Sequence, residues 1–294
     1  MDKLRKLITR ISEIKQRYQN NQLRKKIQVA SLEETIAKIK DEHCSISRFG
    51  DGEFYIMEGK NIGFQKANPA LSERLKQVFA ENESGHLVCI SNGINPKNYQ
   101  EFTKKHIHWM KRHFRNTTEM RMKYIDPNRT YYNLLISRFW IPFKDKNRAK
   151  KVAEQLKSIW TGRNVVVIEG QKTRMGVGND LLDGVASCHR ILGPATDAFA
   201  HYDEILSAAK TYPKDTLFLI ALGPTATVLA YDLFLVGYQA LDIGHVDLEY
   251  EWMRLGVLEQ VNLSSRYVNE LRGGAQVEDC QDAEYLSQIQ FQIC

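Results

Sequence analysis

The sequence predicts an α/β fold: a Rossmann-like, mostly parallel sheet flanked by helices, with an amphipathic helix in front of it. Three observations carry this. From Arg163 onward, short apolar runs alternate with single helical segments, which implies parallel strands joined by right-handed crossovers. Polar, glycine-containing loops follow several of those runs, where open parallel sheets bind their ligands. Finally, Leu4, Leu7, Ile8, Ile11, Ile14 and Tyr18 fall on one helical face, with basic residues filling the rest.

The chain has 294 residues, 43% hydrophobic and 26% charged, as in an ordinary globular protein with a substantial core. No repeat, low-complexity segment or Pro/Gly/Ser-rich linker divides it, so residues 1–30 read as an arm and 31–294 as a single domain. No apolar run approaches the roughly 20 residues that span a bilayer. Lys3, Arg5, Lys6 and Arg10 interrupt any signal-peptide core, so cytoplasmic residence is expected. Cysteines 44, 89, 188, 280 and 294 are scattered without a CxxC pair, which argues against a thiolate zinc site and a disulfide framework.

The net charge of +6 is unevenly placed. Residues 1–26 carry nine basic and two acidic groups, a local +7, so the other 268 residues sum to −1. This is a neutral domain with a basic arm rather than a nucleic-acid-binding surface. Three readings of the arm compete: a helix packed on the domain or a partner subunit, a peripheral helix at the inner face of a membrane, and a solvated arm.

In chain order, Ser31 caps a helix running to Ile39, with Glu34 at the capping-box position. A strand over 44–47 leads into the loop Arg48-Phe49-Gly50-Asp51-Gly52-Glu53. A helix over 71–81 and a strand over 86–91 follow. The basic aromatic stretch 104–115 reads as an amphipathic helix over the core. Next come a strand over 131–137, a helix over 144–160 and a strand over 165–169. A loop over 170–178 then opens a helix near Asn179. The remaining strands are 188–192, 216–222 and 239–243, with helices over 198–211 and from Gly223-Pro224-Thr225 to Val236.

The loops carry the chemistry. Asp51 and Glu53 form a compact oxygen-ligand site suited to Mg²⁺ or Mn²⁺, which complete their shells with phosphate oxygens and water. Arg48 beside them adds a fixed charge suited to phosphate. An acidic surface turn is the plain alternative. The loop 169–180 offers Lys172 and Arg174 to a diphosphate, and Asn179 and Asp180 at a helix start. It lacks both the full dinucleotide fingerprint and the GK[ST] of a P-loop. Thr225 is either a simple helix-start residue or a phosphate or sugar contact. His245, with Asp247, Glu249 and Glu251 alternating after it, supplies candidates for a general base or further metal ligands.

Taken together, these segments resemble the GT-D-type glycosyltransferases, a bacterial family long catalogued as a domain of unknown function. The resemblance covers about residues 30 to 272. It rests on RFGDGE (48–53), EGQKTRMGVGND (169–180), LGPTATVLAYDL (222–233), DIGHVDLEYEW (242–252) and RYVNE (266–270). It implies a metal-dependent, nucleotide-sugar-using α/β enzyme whose DxE motif, here Asp51 and Glu53, lies at the cation and the donor diphosphate. It further implies a hexosyltransferase acting on glycans of bacterial glycoproteins or surface polysaccharides.

The expected reaction is transfer of a hexose, glucose first among candidates, from a UDP-sugar to a sugar hydroxyl. Mn²⁺ or Mg²⁺ held by Asp51 and Glu53 would neutralise the diphosphate. Arg48, Lys172 or Arg174 would support it, and Asn179, Asp180 and Thr225 would contact the donor. His245, then Asp247 or Glu249, are the base candidates if the anomeric centre inverts. The rival readings are a metal-dependent phosphoesterase and a non-catalytic sugar-nucleotide-binding or scaffold subunit. A homo-oligomer is compatible with each.

Overall fold

The computed structural model describes residues 11, 15–268 and 270–293. A nine-stranded sheet forms the centre, in the order β1-β4-β3-β2-β8-β7-β5-β6-β9. Its strands are β1 (Gln28–Val29), β2 (Ser45–Phe49), β3 (His86–Ile90), β4 (Thr130–Asn133), β5 (Asn164–Gly170), β6 (Ser187–Gly193), β7 (Leu217–Ala221), β8 (Gln239–Asp242) and β9 (Ile289–Gln292). Every pairing between these strands is parallel.

The apolar runs read as strands are buried on both faces, which is why they do not alternate with polar residues. Along β5 and β7, Val165, Val167, Leu217 and Leu219 enter one core, and Val166, Ile168, Phe218 and Ile220 enter the other. Helices α7 (Tyr202–Ala209) and α8 (Pro224–Leu235) cover the second core, and α6 (Lys146–Trp160) and α2 (Leu32–Asp41) pack on the first. Helix α8 is buried nearly all round between the sheet and α4 (Pro69–Ala80), as its uniformly apolar sequence requires. No described helix is long and apolar enough to cross a membrane.

Local signals held where they were self-contained. Ser31 Oγ accepts the Glu34 N–H at 3.1 Å and Glu34 Oε2 accepts the Ser31 N–H at 2.7 Å, closing the capping box of α2. Three expectations change. The DxE residues lie in the first turn of a helix, α3 (Asp51–Met57), rather than in a loop. Strand β4 stops at Asn133, and Leu134–Ser137 form a 3₁₀ turn that carries Ser137 and Arg138 to the carboxyl end of the sheet. No helix starts at Asn179: residues 179–184 are turns, because their polar groups are fixed by tertiary partners described below. The segment after His245, to which the sequence reading assigned no element, is helical, α9 (Val246–Arg254).

At the amino end, residues 15–24 form α1. Its buried side is Asn20 and Arg24, whereas Ile11 and Tyr18 of the apolar stripe are 57% and 65% exposed. Leu4, Leu7, Ile8 and Ile14 lie outside the described residues. Arg24 roots the helix: its Nε donates to the Ile94 carbonyl at 2.8 Å, and its guanidinium sits 4.7 Å from the Phe114 ring centre.

Candidate functional site

From β2 the chain steps to β3 and β4 on one side, whereas β8 is reached through β5, β6 and β7 on the other. The carboxyl ends of β2 and β8 therefore flank a topological switch point, where open α/β sheets form ligand crevices. The most chemically loaded turns of the chain meet there.

Helix α3 begins directly after β2 because Glu53 Oε2 accepts the Gly50 N–H at 2.7 Å. Residues two apart on a helix face different directions, and Asp51 and Glu53 meet different neighbours. Asp51 Oδ1 accepts from Arg121 Nη2 at 2.7 Å and lies 3.0 Å from His113 Nε2. The Asp51 side chain is 42% exposed and Arg121 only 2%. Both partners come from α5 (Lys104–Arg121), where Arg121 is held 4.5 Å over the Phe54 ring. Burial works against ionisation of Asp51, but His113, Arg121 and Arg138 outweigh it and hold its carboxyl below the usual range. Burial and the neighbouring Asp242 push Glu53 the other way, up to about 7.

Arg48 is committed to structure. Its Nη2 pairs with Asp242 Oδ1 at 2.8 Å, its Nε donates to the Asp242 carbonyl at 2.7 Å, and its Nη1 donates to Ser137 Oγ at 2.5 Å. Thr227 Oγ1 donates to the other Asp242 oxygen at 3.1 Å. Gly244 permits this: a Cβ there would stand 2.7 Å from Arg48 Nη2. With all three nitrogens occupied, the Arg48 guanidinium ties β2, β8 and the 3₁₀ turn together rather than facing a phosphate.

His245 precedes α9, with its Nε2 3.4 Å from Glu270 Oε1. Glu270 also takes a forked contact from Arg138 and one from Gln260. Burial disfavours the Glu270 charge, yet Arg138 and His245 pull it down to about 2. The same Arg138 charge bears on Asp51 and, after burial, helps depress His106 to about 4. The Asp51 and His245 groups thus share one electrostatic space. Along α5, His106, Trp109 and His113 stack at centroid separations of 5.3 and 4.7 Å, with Trp109 40% exposed at the rim.

The loop 169–180 is held by protein partners. Asp247 is buried; its Oδ1 accepts from Gly176 N–H at 2.8 Å and Asn179 Nδ2 at 2.9 Å, and its Oδ2 from Arg266 Nε at 2.5 Å. Asn179 also donates to Glu251 at 2.6 Å. Asp180 takes Lys157 Nζ at 2.6 Å and the Tyr250 hydroxyl at 2.9 Å. Arg174 adopts φ 56° and turns its guanidinium to the Ser265 and Glu278 carbonyls. The Lys172 carbonyl accepts the Tyr267 N–H at 3.0 Å. Buried Glu249 accepts the Trp140 and Ile141 N–H groups at 2.8 Å each through Oε2. Loops without a helix must satisfy their backbone groups some other way, and these carboxylates and amides do it.

Thr225 stands at the second position of α8, fully buried, its hydroxyl without a hydrogen-bond partner among the described residues. Gly223 ahead of it adopts φ 56° and ψ −145°, and a Cβ there would lie 2.6 Å from the Phe64 ring. Only glycine fits on both counts.

The residues missed by the sequence reading are His113, Arg121, Arg138, Asp242 and Glu270. A signal existed for some: His106, Trp109 and His113 follow helical spacing, and Asp242 and Glu270 lie inside quoted motifs. As a metal site, the described residues contain no group of three or more His, Cys, Asp or Glu side chains arranged around one ion. The hard, half-exposed Asp51 carboxylate fits a cation that shares its shell with substrate phosphates and water, as Mg²⁺ commonly does, whereas Glu53 spends its Oε2 on the Gly50 N–H and has only Oε1 to offer.

A family model described as "Glycosyltransferase GT-D fold" matches residues 46–271. The chain is 35% identical over 268 residues to the glycosyltransferase GlyD of Streptococcus pneumoniae serotype 4, covering 91% of this chain and 33% of that protein. It is 34% identical over 271 residues to the probable glycosyl transferase Gly of Streptococcus gordonii, covering 90% and 39%. The chain therefore spans between a third and two fifths of the length of these curated relatives. A solved structure described as domain of unknown function 1792 with a distinct glycosyltransferase fold superposes with TM-score 0.88, at 36% identity over 94% of this chain and 98% of that one. Another, a glycosyltransferase from Streptococcus sanguinis, gives TM-score 0.85 at 32% identity over 91% and 100%.

Proposed function

This chain belongs to the GT-D glycosyltransferase family, and from that premise we propose that it moves a hexose, glucose first among candidates, from a UDP-sugar to a sugar hydroxyl of a bacterial glycoprotein or surface-polysaccharide glycan. The observation that carries the reading is Asp51: an ionised, half-exposed carboxylate at the carboxyl end of β2, fixed by Arg121 and His113 at the switch point of the sheet. Asp51 and Glu53 would hold Mn²⁺ or Mg²⁺, which when bound would act as a Lewis acid towards the donor diphosphate.

The chain's own residues supply the rest. We assign the amino end of α8 to the donor phosphates, with the buried Thr225 hydroxyl behind it. Arg138 adds positive charge beside Asp51, where negative charge grows as the sugar leaves. In an inverting transfer, His245 takes the acceptor proton, with Glu270 orienting the ring. Asp247 is a poor candidate for that role, since both its oxygens are occupied. Lys172, in the loop 169–180, completes the donor contacts we assign. We place the reaction on the cytoplasmic side, where nucleotide sugars are made.

The test is incubation with UDP-glucose, Mn²⁺ and a panel of bacterial glycans, read by mass spectrometry. A hexose-extended glycan that disappears in Asp51→Ala and Glu53→Ala supports the reading. Release of free phosphate, or donor binding without turnover on any acceptor, refutes it.

A further inference from the structure

We propose, resting on the assignment of the α8 end to the donor phosphates, that the turn 61–67 is a latched gate over that end, and that a nucleoside diphosphate reaches it only when the gate lifts. The turn lies between α3 and α4 and is closed on itself. Ile62 N–H donates to the Gln65 carbonyl at 3.0 Å, and Asn61 Oδ1 accepts the Ala67 N–H at 2.8 Å. Two apolar side chains reach out from this unit. Phe64 stands against Gly223, where a Cβ would come within 2.6 Å of its ring, and Ile62 stands against Gly52, where a Cβ would lie 3.1 Å from its Cδ1. One turn therefore touches both the DxE segment and the start of α8. Behind Gly223, the Thr225 hydroxyl is enclosed and has no hydrogen-bond partner among the described residues. A polar group stranded in this way costs free energy, and a phosphate oxygen arriving at the α8 end would supply the missing acceptor.

What holds the turn down is weak enough to release. Its polar ties run to the segment after β6. Lys66 N–H donates to Asp197 Oδ1 at 2.6 Å, Asp197 N–H to the Phe64 carbonyl at 2.9 Å, and Phe199 N–H to Gln65 Oε1 at 3.5 Å. An ion pair of 3.4 Å joins Lys66 Nζ to Asp197 Oδ2, with the Lys66 side chain 82% exposed. Of the side chains in the turn only Gln65 is buried, and Ile62 and Phe64 are half-buried. Asp197 itself is held in the left-handed region at φ 56° less two degrees of the Arg174 value, that is φ 54°, a conformation that persists where contacts fix it. A site that must open before it binds has its apparent affinity reduced by the fraction open, so weakening the latch raises affinity and association rate together.

The experiment is stopped-flow and equilibrium binding of UDP, at fixed Mn²⁺, to the full chain and three variants. Asp197→Gly accepts the left-handed backbone and removes both Lys66 contacts. Phe64→Ala removes the ring from Gly223, and Lys66→Ala removes only the exposed ion pair. UDP should bind Asp197→Gly and Phe64→Ala faster and roughly fivefold to tenfold more tightly. Lys66→Ala should gain at most about fivefold. Unchanged circular dichroism would confirm intact folding. A turn that merely packs on the site predicts the opposite sign, since its loss would loosen the site and weaken binding. Unchanged or weaker UDP binding by both Asp197→Gly and Phe64→Ala therefore overturns the gate and leaves the donor reading standing. UDP that binds neither the wild type nor any variant overturns the donor reading, and the gate with it.

Discussion

Arg121 Nη2 meets Asp51 Oδ1 at 2.7 Å across 70 residues of sequence, and it does so from a buried position against the Phe54 ring. The half-exposed carboxylate is thus held by a rigid cation rather than by solvent. This makes the first turn of α3 a preorganised acceptor of charge.

Arg121→Met keeps most of the buried volume but removes the cation. Partners that orient a ligating group are commonly worth ten- to a hundredfold in affinity or activity. We expect transfer to fall by about that factor, with the Mn²⁺ concentration for half-maximal rate rising. Steady-state kinetics over a metal titration checks it; wild-type behaviour would remove Arg121 from the site.

Asp242→Ala should unfold the switch point. It strands the Arg48 guanidinium, nearly enclosed and bonded to Asp242 and Ser137. Breaking a buried pair on one side costs about 3–5 kcal/mol. Urea denaturation should show a loss of that order, and the volume-matched pair Arg48→Met/Asp242→Leu should recover part of it.

Glu249 predicts a pH-dependent stability. Burial pushes its carboxyl up to about 7, despite Arg138 and the Trp140 and Ile141 N–H groups; Glu270 pushes the same way, and Lys146 lies nearby. A carboxyl raised in the folded state favours folding at low pH. That contribution is full below the ordinary glutamate value of 4.5 and is lost as pH rises to about 7. Glu249→Gln cannot ionise and keeps an acceptor for the two N–H groups. Relative to it, the wild type should lose up to roughly 3 kcal/mol over that window. Parallel denaturation curves at all pH values would contradict this.

Gly223→Ala should destabilise by about 1–3 kcal/mol from backbone conformation alone, with a further steric cost against Phe64. Phe64→Ala should relieve only the steric part. A double-mutant cycle in urea would therefore show favourable coupling; strict additivity would mean that the ring moves aside freely.

How much of this was legible depended on range. The capping box of α2 and the buried runs of β5 and β7 could be read because each is settled by residues within a few positions of one another. Asn179 also looked like a helix start, and its Oδ1 does accept the Leu181 N–H at 2.9 Å. Its amide nitrogen, however, is claimed by Asp247 and Glu251, and the backbone follows those contacts instead of propagating a helix. The acidic residues at 247, 249 and 251 looked like one cluster. On α9, residues two apart diverge, so Asp247 and Glu251 meet at Asn179 while Glu249 turns to Trp140.

By itself the sequence determined the parallel α/β architecture, the glycine-punctuated ends of its strands and the placing of Asp51 and Glu53 after β2. Apolar periodicity, capping and glycine placement are local properties that survive in a linear text. Only the tertiary structure decided that His113, Arg121 and Arg138 would bring their charge to that turn, that Glu270 would pair with Arg138 and His245, that Arg48 would face Asp242, and that Tyr18 of α1 would point outward. Those outcomes depend on which charges the crossing order of the strands brings within a few ångströms, and no spacing along the chain encodes that.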